Sequence, residues 1–249
     1  MTALLEAEGL HKSFGAVTAA RDVSVSVRRG ERLGLIGNNG AGKTTFVNMV
    51  TGYITPDRGR VMLDGTDITG LAPRLVSRHG VSRSFQIPQL FPSLTPEENL
   101  LLALGIARRD GLSPWRPARS PALMAELDDI LARFRLNDYR ERAIAALPGG
   151  VRKLVDIAMA VTRQPKLLLL DEPTSGVATE EKFPLMDVIM RALDGGDVTV
   201  LFVEHDMDIV GRYAERVLAF YDGRVIADDA PAAVLGNAEV QRYVTGVTP

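Results

Sequence analysis

Arg32-Leu33-Gly34-Leu35-Ile36, followed by Gly37-Asn38-Asn39-Gly40-Ala41-Gly42-Lys43-Thr44, is the stretch that decides the fold. The first five residues read as a strand. The next eight match G-x-x-x-x-G-K-[ST], and the apolar segment Thr44 to Val50 fits a helix. A glycine-rich turn between strand and helix lets the backbone curl so that successive N–H groups point at phosphate oxygens. The helix N-terminus adds partial positive charge. In that setting Lys43 reaches terminal phosphates and the Thr44 hydroxyl is placed to hold Mg²⁺.

Upstream, Val23, Val25 and Val27 alternate with Ser24 and Ser26, the period of a strand with one buried face. Arg29-Gly30 makes a turn. Downstream, Val61-Met62-Leu63 and Asp64-Gly65 predict a strand and a turn. The first third therefore combines an antiparallel β layer with a strand–loop–helix unit. Residues 87–163 read differently. Thr95-Pro96-Glu97-Glu98 carries a capping box with proline at the first helical position. Residues 105–121, with Gly111, Pro114, Pro117 and Pro121, predict a loop. Leu123, Leu127, Ile130, Leu131 and Phe134 then share one helical face.

Beyond this stretch the alternation of strand and helix returns. Lys166 to Asp171 and Val198 to Val203 are buried strands. Phe183, Met186, Met190 and Leu193 mark a helix between them. Such alternation predicts a parallel sheet with crossovers. Val217 to Phe220, Asp222-Gly223 and Val225 to Ala227 predict a closing hairpin.

Carboxylates at the end of a buried parallel strand sit where ligands bind. Asp171 there is placed to hold Mg²⁺ and Glu172 to polarise a water. His205 closes the other buried strand, within reach of a γ-phosphate. Taken alone, Gln86 reads as a surface polar residue and Phe14 as core.

Composition excludes several classes. The 249 residues include no cysteine, which removes disulfides, thiolate metal sites and cysteine nucleophiles. Twenty-nine basic against 31 acidic residues give no basic excess for a nucleic-acid partner. Met1 to Glu6 lacks the pattern of a secretory signal, and Leu167 to Leu170 falls far short of a bilayer span. A cytosolic chain without direct membrane insertion is expected.

In this order, Phe14, the phosphate loop, Gln86, Leu147 to Val151, Asp171-Glu172 and His205 resemble the ABC ATPase family over essentially the whole chain. The resemblance implies an α/β P-loop NTPase with a RecA-like parallel sheet core, an antiparallel β layer and a helical subdomain. It also implies one domain over 1–249, with 1–86 and 164–249 as catalytic core and 87–163 as helical subdomain carrying the signature. ATP and Mg²⁺ are the implied cofactors. Phe14 and Val17 would face adenine. Gly37, Asn38, Asn39, Gly40, Ala41, Gly42, Lys43, Thr44 and Thr45 would hold the phosphates, and Thr44, Gln86 and Asp171 the metal. Glu172, His205, Gln86 and Lys43 would be catalytic.

Pro148, Gly149 and Gly150 would present the signature to the ATP of a second, identical or homologous subunit in a head-to-tail dimer. Arg83-Ser84-Phe85-Gln86, Leu90 to Thr95 and the tail Val240 to Gly246 look like branched-chain amino acid importer ATPases, parts of a pattern shared with urea-type and lipopolysaccharide-export ATPases. The resemblance implies a chain at the cytoplasmic face of the cell membrane, against permease subunits. Ile87, Leu90, Phe91 and Leu94 are the expected docking cluster.

The sequence departs from the family pattern in three places. Pro148 stands for the usual serine of the signature, Val151 for glutamine, and Ala178 where many relatives have aspartate. All three are expected at the dimer interface. A nucleotide-gated module with weak hydrolysis is the rival reading that they favour, against the intact Glu172 and His205. An ABC protein acting on DNA or ribosomes would carry tandem domains or coiled coils, both absent. A GTPase would carry an Asn-Lys-x-Asp motif, also absent.

Overall fold

The computed structural model describes residues 3–108, 120–194 and 197–246. In chain order the elements are β1 (Ala3–Phe14), β2 (Val17–Arg28), β3 (Arg32–Gly37), α1 (Lys43–Val50), β4 (Arg58–Leu63), β5 (Thr66–Asp67), α2 (Pro73–Arg78), β6 (Val81–Ser84), α3 (Pro96–Ala107), α4 (Pro121–Arg133), α5 (Gly149–Val161), β7 (Leu167–Asp171), α6 (Thr179–Leu193), β8 (Thr199–Val203), α7 (Met207–Tyr213), β9 (Arg216–Tyr221), β10 (Arg224–Asp229), α8 (Pro231–Leu235) and α9 (Ala238–Val240). A π-helical turn, Gln241–Thr245, follows α9. No described helix is long and apolar enough to cross a membrane.

The chain divides into two compact units. The first holds residues 1–83, 166–172 and 197–249 and contains two sheets. One has the order β2-β1-β4-β5, antiparallel throughout. The other has the order β10-β9-β3-β8-β7-β6, with β9, β3, β8 and β7 parallel and β10 antiparallel to β9. The predicted parallel core, antiparallel layer and closing hairpin are all present. Alternation does its expected work in β2, where Val23, Val25 and Val27 are buried and Asp22, Ser24 and Ser26 are not. Leu167 to Leu170 and Thr199 to Val203 are buried throughout, because a central parallel strand is covered on both faces. Phe46 of α1 meets Phe220 of β9 with ring centroids 5.6 Å apart in this core.

The second unit holds residues 84–165 and 173–196 and is helical. α3 opens with the predicted capping box: Glu98 N–H donates to Thr95 Oγ1, and Thr95 N–H to Glu98 Oε2. The predicted face of α4 is buried, down to Phe134 at its C-cap.

Three expectations need correction. The loop expected over 105–121 is helical at both ends: α3 runs on through Gly105 to Ala107, and Pro121 starts α4 at the position where a missing N–H is harmless. Gly111, Pro114 and Pro117 lie outside the described residues. The boundary expected at 86/87 falls at 83/84. Residues 173–196, expected in the catalytic core, cluster with the helices instead. There α6 buries Leu185, Met186 and Ile189, and the Arg133 guanidinium donates to Ala192 O.

Candidate active site

In the first unit the parallel strands end at a common edge. Leu35 of β3 and Asp171 of β7 are both in register with Val203 of β8. Gly37, Asp171-Glu172 and Glu204-His205 therefore emerge side by side, as such sheets present their ligand-binding residues.

The phosphate loop, 37–42, is held in shape by steric exclusion. Gly42 has φ +108°, and a Cβ there would lie 2.6 Å from Ala19 O and 3.2 Å from Gly223 Cα. At Gly37, φ is +149° and a Cβ would lie 2.5 Å from Phe220 O. Only glycine fits either place. Lys43 is buried, and its ammonium curls back to donate to Gly37 O at 2.5 Å and Asn38 O at 3.1 Å. Burial lowers its pKa from the ordinary value, while the charges of Glu172 and Asp171 act the other way. A desolvated cation in a glycine cradle, with an uncapped helix N-terminus and no acidic residue in the first turn of α1, fits an anionic ligand. Thr44 is exposed at that turn and Thr45 is half-buried.

Asp171 accepts from Arg83 Nη2 at 2.6 Å, and the same guanidinium donates to Asn48 Oδ1 at 2.7 Å. Arg83 thus fixes the carboxylate at the strand end, a role that sequence reading missed. Glu172 has φ +47° and donates its N–H to Val203 O at 3.0 Å. A non-glycine residue in this region is uncommon and clusters at functional sites. Here the twist turns the side chain to His205, whose Nε2 lies 3.0 Å from Glu172 Oε1. The carboxylate accepts the ring N–H and holds the imidazole in place. Phe14 and Val17 pair across the tip of the β1–β2 hairpin and are 49% and 67% exposed. The core role that Phe14 has in isolation is therefore wrong: the ring is presented to solvent because the hairpin extends past the buried layer.

The hard oxygen donors expected for Mg²⁺, the Thr44 hydroxyl and the Asp171 carboxylate, suit that ion. Among the described residues no cluster of three or more His, Cys, Asp or Glu could hold a metal alone. That donor set fits a cation completed by phosphate oxygens and water.

The other expected residues belong to the second unit. Pro148 is the N-cap of α5 and makes no side-chain capping bond to the first turn, where Gly149 and Gly150 stand. Val151 is half-buried. Ala178 is the N-cap of α6 and likewise makes no capping bond. Gln86 is exposed in a loop that α5 grips from both sides. Buried Lys153 donates to Gln86 O at 2.7 Å and Phe85 O at 3.1 Å. Buried Asp156 accepts from Ser84 Oγ at 2.6 Å and Gln89 N–H at 2.9 Å. Burial raises the Asp156 pKa against those bonds and the Lys153 charge. Sequence reading missed both residues. A charged pair at i, i+3 amid Leu154, Val155 and Ile157 was the available signal.

The pattern of the ABC transporter family matches residues 20–175. The chain is 32% identical over 249 residues to the high-affinity branched-chain amino acid transport ATP-binding protein BraF of Pseudomonas aeruginosa, covering 98% of both chains. It is 33% identical over 250 residues to its counterpart LivG of Escherichia coli, again covering 98% of both. The ADP conformation of an ATP-binding cassette of an ABC transporter superposes with a TM-score of 0.86 at 30% identity, over 99% of this chain and 100% of that one. With that match and this arrangement of loop, strand ends and helix N-termini, the chain belongs to the ABC transporter family, among its ATP-hydrolysing subunits.

Proposed function

We propose that the chain hydrolyses ATP to drive import of branched-chain or related amino acids. The pairing of Glu172 with His205 beside the phosphate loop carries the reading. Lys43 and the loop N–H groups bind the β- and γ-phosphates, and Phe14 and Val17 face the adenine. Glu172 polarises the attacking water, and His205 orients Glu172 and faces the γ-phosphate. Thr44, Asp171 and Gln86 are the residues that would hold Mg²⁺, and the ion would neutralise charge on the phosphate oxygens. Pro148, Gly149 and Gly150 close the ATP site of a second subunit. The likeness to BraF and LivG supports the solute class.

Membrane attachment runs through permease subunits at the cytoplasmic face. The loop after Gln86 supports this. Asn99 is fully buried, accepts the Phe91 N–H at 2.9 Å and donates to Phe91 O, which pins the backbone. The Ile87 and Phe91 side chains nevertheless remain exposed, whereas Leu90 and Leu94 are half-buried. The loop borders a cleft of about 350 Å³ that also includes Pro88 and Pro92. An exposed apolar pair on a loop pinned from beneath supports a docking surface here.

The test is Glu172→Gln in the assembled transporter. ATP binding persists and turnover falls about 10²–10⁴-fold. Turnover within threefold of wild type overturns the assignment.

A further inference from the structure

Asn38 lies within the phosphate loop, yet its side chain is committed elsewhere. Its Nδ2 donates to the backbone O of Tyr243 at 2.6 Å, 205 residues away in the π-helical turn 241–245. The Asn38 carbonyl meanwhile accepts from Lys43. One residue therefore joins the C-terminal turn to the lysine expected on the phosphates.

The turn is itself anchored. Val240 and Val244 are buried, and the Tyr243 ring stacks on Tyr221 with centroids 4.5 Å apart. Tyr221 ends β9, and the turn after it reaches the same loop from another side, Gly223 N–H donating to Ala41 O at 3.0 Å. The loop is thus held at Ala41 by a hairpin and at Asn38 by the C-terminal turn, and the tyrosine stack ties the two supports together.

We infer that residues 238–246 form a brace that pre-orders the phosphate loop for ATP through the Asn38–Tyr243 bond. Asn38 and Tyr243 are positioning residues. Without the bond, the upper part of the loop must be ordered on binding, and that ordering is subtracted from affinity. The inference rests on the reading of 37–45 as the ATP-binding loop.

The experiment is a double-mutant cycle in the full chain, with ATP affinity read by calorimetry. Asn38→Ala deletes the bond itself, and Tyr243→Ala, which keeps the accepting carbonyl, deletes the ring stack that holds it in place. Each weakens ATP binding about threefold to tenfold, the range of the one hydrogen bond that both disrupt. The double variant is no weaker than either single one, and Tyr243→Phe, which keeps the stack, binds as wild type. Asn38→Ala alters an exposed side chain and leaves the fold intact, so it carries a second readout. Hydrogen exchange across 238–246 rises in Asn38→Ala, which a purely local effect on the loop would not produce. Unchanged affinity in Asn38→Ala overturns the brace. So do effects that multiply in the double variant, or unchanged exchange in 238–246. Wild-type protein that bound no ATP would instead refute the underlying reading of the loop.

Discussion

Lys153→Met tests whether the grip of α5 on the Gln86 loop matters. Methionine preserves the length and apolar stem of lysine and deletes only the donors. Two bonds from a charged donor are lost, to Gln86 O and Phe85 O. At about 1.5–3 kcal/mol each, the gross loss is about 3–6 kcal/mol. Against this, the buried ammonium carries a desolvation penalty of several kcal/mol, which methionine does not. The net destabilisation expected is about 1–3 kcal/mol. In a chain of this size each kcal/mol moves Tm by about 2–4 °C.

The deficit has a signed pH dependence. Burial already raises the Asp156 pKa, and the Lys153 charge is among the influences that lower it. Removing the charge raises the pKa further, so the folded state binds the proton more tightly than the unfolded one. The deficit is therefore larger at pH 8 and shrinks as pH falls through the raised folded value. Urea denaturation across pH measures this. On the role proposed for Gln86, steady-state kinetics should show kcat down about tenfold with KM for ATP within threefold. Stability within about 0.5 kcal/mol of wild type, the usual range of a surface change, together with unchanged kcat would refute the reasoning.

Gly42→Ala places a Cβ 2.6 Å from Ala19 O in a left-handed conformation. It should destabilise the fold by about 3 kcal/mol or more in thermal melts and abolish ATP binding. Phe91→Asp should leave the isolated subunit folded with basal ATPase near wild type, yet prevent co-purification with the permease. Glu31 is buried. Burial acts to raise its pKa, but bonds from Arg28 and the charges of Arg216 and Arg28 prevail and lower it. Its contribution is fully present above the unfolded value and is lost as pH falls through the folded one. Glu31→Gln should therefore cost about 2 kcal/mol at pH 7 and flatten the acid limb of a denaturation-versus-pH profile.

Much of this molecule was legible because its signals are local. The phosphate loop, the capping box at Thr95 and the valine alternation of β2 each depend on neighbours within a few residues. The strand-end positions of Asp171, Glu172 and His205 followed from alternation plus burial. What escaped depends on distant partners. Nothing around Asn38 indicates a hydrogen bond to Tyr243, and Arg83 looks like an ordinary strand residue until Asn48 and Asp171 arrive beside it. The apolar face of helix α6 marks its place along the chain but does not say which unit will cover it. Phe14 in isolation reads as core, since an aromatic at a hairpin tip is the same residue type as one in a core.

The close approach of Ala19, Gly42 and Gly223 constrains how this protein can be engineered. A two-residue hairpin tip such as Asp222-Gly223 would ordinarily be a natural place for a peptide tag, a fluorescent insertion or a circular permutation point. Here Gly223 N–H holds Ala41 O, its carbonyl accepts the Arg21 N–H at 2.7 Å, and its Cα faces Gly42. An insertion at this turn would separate all three contacts and distort the glycine-rich loop from behind. Labelling schemes for following the transporter at work need to avoid this turn, even though Asp222 is exposed on the surface.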